Sequence, residues 1–287
     1  MTETDEAVGR SQALVTVRSV SSRTRRILAR GDLAGAAATL TYFAAIAVVP
    51  WAVLAIWSTT WVFGVGGAEQ RWSQLRALIP PEMGARPVFD ELVSAATHLD
   101  VLGAIVLLFP ASFYGEGLRR ACLPFCPDRD RFTGWRARAA ILVLLPAVPA
   151  VGFTYLAMGT VMTQWTGDNG GGGTADLVAR IVVGYMTVWV LLSVVLSWVY
   201  SRVTPGAPSN VSAVVGGVGT ASFVAGFVQG FSLFLSLDID VGIPYAGLRA
   251  IGGVVAVGLW LYVLHVLVVV GWAFVQAVEE ERHAHVG

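Results

Sequence analysis

The sequence predicts an all-α fold: a polytopic membrane bundle of about six transmembrane helices, with short amphipathic interfacial helices in its first outer loop. Three observations predict it. Hydrophobic residues fill 55% of 287 positions, charged residues only 13%, and the mean hydropathy is +0.68; a soluble domain carries roughly twice that charged fraction. The charges are bunched, leaving uncharged stretches of 36, 29, 21, 35 and 29 residues after Asp32, Arg138, Arg180, Arg202 and Arg249. A helix needs about 20 apolar residues to cross a ~30 Å hydrocarbon core. Finally, runs such as "VLLSVVLSWVY" and "VVAVGLWLYVLHVLVVVGWAF" lack the polar stripe of a soluble core helix and the alternation of a barrel strand.

Residues 1–32 form a polar segment carrying Arg10, Arg18, Arg23, Arg25, Arg26 and Arg30. No short apolar run with a small-residue cleavage site precedes the first span, so that span is expected to be an uncleaved anchor. The membrane domain, 33–278, divides into spans Leu33–Val62, Leu99–Leu118, Ala139–Val161, Leu177–Tyr200, Val211–Leu235 and Ile251–Ala277, and a short tail covers 279–287. Between the first two spans, "AEQRWSQLRALI" sets Trp72, Leu75, Arg76 and Ile79 at helical spacing. "RPVFDELVSAATHL" does the same with Val88, Leu92, Val93 and Ala96 after a break at Pro80 and Pro81. Two amphipathic helices follow, either lying along the outer interface or capping the bundle.

Positive charge marks the cytoplasmic side of short loops. With the amino terminus inside, fourteen arginines fall on inner segments and five (Arg71, Arg76, Arg86, Arg180, Arg249) on outer ones. Six spans then return the carboxyl terminus to the cytoplasm, and the glycine-rich "TGDNGGGGTAD" lies outside. Net charge is zero, which argues against nucleic acid as a partner. All 19 basic residues are arginine. Cys122 and Cys126 read as two free thiols, because a zinc site needs four ligands. The Asp238–Asp240 "DID" is a weak metal signal, and no phosphate-binding loop, HExxH or GxSxG motif occurs. The expectation is a protein that is not an enzyme and holds no cofactor or metal.

Chemistry concentrates where span two ends, in "SFYGEGLRRACLPF". Glu116 precedes Arg119 and Arg120 by three and four residues, so on a helix they face one another, with the acid on the favoured side. The bland alternative is a boundary ion pair with snorkelling arginines. His265 sits midway along span six, where an ionisable group is rare; it is a candidate for proton or substrate binding, or else a neutral packed histidine. Arg180 and Arg249, at the outer ends of spans four and six, are candidates for meeting a lipid phosphate. Glu116, Arg119, Arg120, Arg180, Arg249 and His265 make up the candidate substrate-binding set. Span five carries small residues four apart, Ala213, Gly217, Ala221 and Ala225 beside Ser222, Gly226 and Gly230, a face for close helix packing within the chain or in a homo-oligomer. Pro50, Pro110, Pro146 and Pro149 interrupt the first three spans and are expected to kink them.

Several of these segments resemble the YihY/virulence factor BrkB family. "AGAAATLTYFAAIAVVPWAVL" resembles its first span and "SFYGEGLRRA" the end of its second. "YSRVTPGAPSNVSAVVGGVGTASF" is similar to its loop feeding a glycine-rich fifth span, and "IPYAGLRAIGGVVAVGLWLYVLHVLVVVGWAFVQA" to its last. The family usually shows glycine–alanine–glutamate in that last helix; Gly271-Trp272-Ala273-Phe274 departs from this. The resemblance runs from about Gly31 to Glu281. It implies a six-span bacterial inner-membrane protein, associated with envelope integrity and serum resistance and described as a transporter, including of envelope lipids. An older family label, ribonuclease BN, conflicts with the chemistry: Asp128, Asp130, His283 and His285 form no cluster able to hold a metal or an acid–base pair.

Two functional readings result. One is a transporter of an envelope lipid or other amphiphilic solute, with membrane lipids, and an anionic lipid among them, as partners. The other is a non-transporting scaffold for envelope assembly.

Overall fold

The structure, a computed structural model, describes residues 3–76, 79, 85–126, 134–166, 174–236 and 243–286. Pro80 and Pro81, Asp128 to Arg131, the glycine-rich segment 167–173 and Asp238–Asp240 lie outside the described residues. Ten helices and no strand occur among the described residues: α1 Glu3–Leu28, α2 Leu33–Arg76, α3 Arg86–Thr97, α4 Val101–Ala111, α5 Phe113–Cys122, α6 Gly134–Leu142, α7 Ala147–Thr166, α8 Thr174–Trp198, α9 Asn210–Ser236 and α10 Arg249–Val286. Among the described residues, six helical segments are long and apolar enough to cross a membrane: Leu33–Arg76, Val101–Phe125, Gly134–Met158, Ile181–Val203, Asn210–Phe231 and Ile251–Ala284.

Within α2 the first span and the first amphipathic segment are two helices that meet at a sharp break at Gly64, whose φ of 68° lies where only glycine is unstrained. Beyond the bend, Ala68 and Trp72 fold back onto Ile56 of the span and onto Val93 and Ala96 of α3. The Trp72 indole donates to Thr59 Oγ1 at 3.1 Å and packs against Phe153 of α7. Arg76 pairs with Asp90 at 2.9 Å, and Thr97 donates to Glu69 at 3.1 Å. The amphipathic pair therefore caps the bundle.

Spans two and three are each broken. Span two divides at Ser112, after Pro110, and Gly115 N–H bonds Ser112 O instead of continuing the helical ladder. Span three turns over between α6 and α7 through three-residue hydrogen bonds, Leu144 N–H to Ile141 O among them. These breaks orphan the carbonyls of Ala111 and Ala140, and an unpaired backbone group is expensive in hydrocarbon. Tryptophans repair both. The Trp51 indole donates to Ala111 O at 2.8 Å, and that of Trp198 to Ala140 O at 3.0 Å. Where α4 begins, the Asp100 carboxylate caps Gly103 N–H, which leaves Leu99 O free to accept from Trp57 at 3.0 Å.

Helices α8 and α9 approach most closely at Gly217, where a β-carbon would press on the Ser197 backbone, 2.6 Å from its nitrogen. Ala213, Ala221 and Ala225 are buried along the same side. Tyr185 OH donates to the Ser222 carbonyl at 3.2 Å and lies 2.8 Å from its Oγ. Gly226 and Gly230 differ. A β-carbon there would make only ordinary contacts, Gly226 with Tyr185 of α8 and Gly230 with Trp260 of α10, both at 3.9 Å; beside Gly230 a cluster of Trp260 with Phe227 and Phe231 fills the space between α9 and α10.

The polar ends are more structured than the sequence suggested. The arginine-rich start is the helix α1, whose Val20 and Ile27 are buried. Helix α10 runs past the expected end at Ala277, and its Glu281 pairs with Arg23 at 2.8 Å. Glu279 accepts from Ser209 N–H and Oγ at 3.1 and 2.6 Å, just ahead of α9. The α8–α9 connection lies against α10, with Trp272 donating to Pro205 O at 3.0 Å. The last turns of α1 and of α10 and the α8–α9 connection thus meet at one end of the bundle.

Candidate functional site

Helix α5 is a short wedge between α2 and α6, and two glycines set its depth. At Gly115 a β-carbon would strike the Ala137 carbonyl carbon at 2.8 Å, and at Gly117 it would strike Phe43 Cβ at 2.6 Å. Residues two apart on a helix point about 200° from each other, so the glycines serve opposite neighbours. Glu116 lies between them and is 8% exposed. Its carboxylate faces Gly134, the first residue of α6, where a β-carbon would overlap Oε2. That position favours a negative charge.

Two guanidinium groups meet the carboxylate. Arg120 Nε lies 2.7 Å from Oε1 and Arg138 Nε 4.0 Å from Oε2. Arg138 also rests over the rings of Phe113 and Phe109, at 4.6 and 5.6 Å, and Arg120 lies 5.8 Å from the Phe43 ring centre. Arg119 does not join them: its Nε is buried, with no hydrogen-bond partner among the described residues.

The opposite side of α5 carries a second buried group. His265 of α10 is 3% exposed. Thr41 Oγ1 donates to Ala37 O at 2.8 Å and lies 2.9 Å from His265 Nδ1. With that hydroxyl proton on Ala37 O, the Nδ1–H tautomer of His265 completes the pair by donating to Thr41 Oγ1. Tyr114 OH, 3.3 Å from Nε2, completes a neutral imidazole by donating. His265 is thereby bound to α2 and α5 through hydroxyl groups, the arrangement of the packed alternative. Arg180 stands in the second turn of α8 and Arg249 begins α10; their side chains lie outside the described residues. An apolar crevice lined by Leu54, Trp57, Ile105, Leu108 and Leu145 includes neither Glu116 nor His265.

Residues 25–287 match the family described as Virulence factor BrkB. The chain belongs to that family. No curated protein and no solved structure matches it significantly. Membership together with the six apolar segments makes this BrkB-family chain a multi-pass membrane protein. Two of the segments that carry the resemblance have defined places in the bundle: "SFYGEGLRRA" forms the α5 wedge, and "YSRVTPGAP" the connection held by Trp272. Trp272 is buried.

The sequence reading missed Arg138, Gly115, Gly117, Tyr114 and Thr41 as parts of these sites. A signal for the glycines was present. Gly-Glu-Gly puts two residues without side chains on opposite helix faces around one charge, which implies two close neighbours. Arg138 gave no such signal, since its proximity to Glu116 depends on how α6 crosses α5.

Proposed function

We propose that this BrkB-family protein moves an anionic, amphiphilic envelope component across the bacterial inner membrane, without catalysing a chemical reaction on it. The observation that carries this reading is Glu116, a carboxylate buried between helices and shared by two arginines. Ionisable groups buried in a membrane bundle are costly and recur on substrate and ion paths. The two broken spans beside it support the same reading, since discontinuous helices recur at transporter binding sites. Arg119, Arg180 and Arg249 are further candidates for headgroup contact, while His265 braces α5 through Tyr114. Both termini are placed in the cytoplasm, on the side of the fourteen inner arginines.

The test is reconstitution of the full chain in vesicles, with a labelled anionic lipid followed from one leaflet to the other. Transfer above protein-free vesicles, lost in Glu116→Gln, is the expected result; wild-type transfer no faster than the blank rejects the reading. A cysteine introduced by Asn210→Cys as the only one in the chain, in a Cys122→Ala, Cys126→Ser background, checks orientation. It should react with a membrane-impermeant maleimide only after cells are opened.

The scaffold reading has its own support in the dense α8–α9 contact at Gly217. It predicts that Gly217→Val disturbs envelope integrity while Glu116→Gln does not.

A further inference from the structure

The geometry points to a binding site for the phosphodiester of a membrane phospholipid, formed by the Arg120 and Arg138 guanidinium groups with Glu116 as their positioning residue. This rests on the lipid-handling reading of the same site and names the headgroup chemistry it takes.

Three features of the cluster carry the assignment. First, both arginines address Glu116 through Nε, and among the described residues their Nη groups have no hydrogen-bond partner. A guanidinium carries five N–H donors in a rigid fork. One carboxylate, hydrogen-bonded by Arg120 Nε and within ion-pair reach of Arg138 Nε, draws both forks together and leaves their outer edges free. Carboxylate and phosphate match that fork geometry, which a lysine ammonium does not reproduce.

Second, the charges sum to one. Two guanidinium cations and one carboxylate leave a single positive charge, equal and opposite to that of a phosphodiester. A free phosphate monoester carries about −1.5 to −2 at neutral pH and would be left only partly neutralised.

Third, the surroundings are amphiphilic. Arg138 lies over Phe113 and Phe109, a contact that holds the guanidinium plane in place. Its side chain is 29% exposed and that of Arg120 59%, so both are reachable from outside. Phe109 and Tyr42, each 64% exposed on the neighbouring surface, give an acyl chain an apolar wall below the charged edge. A water-soluble anion would gain nothing from that wall, whereas a phospholipid uses both halves.

The experiment measures displacement of fluorescent phosphatidylglycerol from the purified full-length protein in detergent micelles. The competitors are unlabelled phosphatidylglycerol, diacylglycerol, glycerol phosphate and inorganic phosphate. The expected result is displacement by phosphatidylglycerol and by none of the others at the same concentration. Arg120→Ala and Arg138→Ala should each weaken binding by about tenfold or more, as charge-assisted hydrogen bonds are lost. Arg138→Lys should weaken it as well, since it keeps the charge and loses the fork. Arg25→Ala, exposed on α1, serves as the control and should bind like wild type.

Equal displacement by diacylglycerol overturns the proposal, because the site would then be reading chains alone. Equal displacement by inorganic phosphate overturns the lipid assignment in favour of a free anion. Unchanged affinity in arginine variants that melt like wild type overturns the residue assignment. If both alanine variants fail to fold, the wild-type competitor series decides. Selective binding without transfer between vesicle leaflets would keep this site and reject transport; transfer without headgroup selectivity would do the reverse.

Discussion

Two buried ionisable groups flank α5, and they have been made safe in opposite ways. Glu116 is held by charges, with two arginines that keep most of their donors unspent. His265 is held by hydroxyl groups, in a circuit where Thr41 donates a hydrogen bond to Ala37 O and Tyr114 meets the other ring nitrogen. The first arrangement has capacity left over for an anion. The second is closed, and a proton added to Nε2 would force Tyr114 to find another acceptor. Burial of a titratable group inside a membrane bundle therefore does not identify a binding site by itself; the unused valence of its partners does.

The largest effect expected is on the wedge that creates both environments. Gly115→Leu drives a side chain into the Ala137 backbone and should cost about 3 kcal/mol, the upper end for overpacking. Gly253→Ala is the matched control. A β-carbon there meets nothing within 4 Å, and the better helix former should be neutral or stabilising by about 0.5–1 kcal/mol. Melting curves of the detergent-solubilised proteins measure the difference. If Gly115→Leu melts like wild type, α5 does not sit as deeply as described.

The next effect separates the two groups. Glu116→Gln keeps the shape and removes the charge that orders both guanidinium groups. Lipid transfer should fall by about ten- to a hundredfold, the range for a charge-assisted contact of 1.5–3 kcal/mol, with abundance preserved. His265→Gln should change the rate per folded molecule by about threefold or less, as expected for an interhelical hydrogen bond of about 0.6 kcal/mol. Equal losses in the two variants would erase the distinction between an open and a closed environment.

The tryptophans offer the same contrast in the backbone. Trp198 serves a carbonyl that the α6–α7 break has orphaned, whereas Trp189 donates to Val218 O at 3.0 Å inside the continuous α9. Trp198→Phe leaves an unpaired acceptor and should destabilise by about 1–3 kcal/mol. Trp189→Phe leaves a carbonyl still paired within its helix and should cost under about 1 kcal/mol. Comparable melting shifts would mean that the break at 143–146 is not where the cost resides.

These cases also mark the reach of the sequence. The six spans were legible because a long uncharged run has no alternative to burial in lipid, and the Trp72 and Val93 faces were legible from their period. The prolines announced the breaks in spans two and three, but not the indoles that repair them, since a Trp–carbonyl pair joins elements far apart in the chain. Helix α1 and the last turns of α10 were read as polar ends. Their order comes from Arg23 meeting Glu281 and Ser209 meeting Glu279, contacts that no local pattern encodes. Within the candidate site the Glu116–Arg120 pair follows from helical spacing alone. Arg138 and the Thr41–His265–Tyr114 circuit follow only from packing, which a single chain of letters does not display.

The smallest effect tests the closed circuit directly. Thr41→Val removes the hydroxyl that receives the Nδ1 proton, and His265→Leu removes the imidazole. Each single change leaves a polar partner stranded, whereas the double change leaves an apolar junction of similar shape, in which only Tyr114 must turn to another acceptor. Removing both partners of a buried hydrogen bond is often less costly than removing one. The double variant should therefore be more stable than the sum of the singles predicts, by about 0.6–1.7 kcal/mol, the range for interhelical hydrogen bonds in membranes. A double-mutant cycle from melting curves supplies the number. Strict additivity would show that Thr41 and His265 are neighbours without being partners, and His265 would return to the set of groups able to meet a substrate.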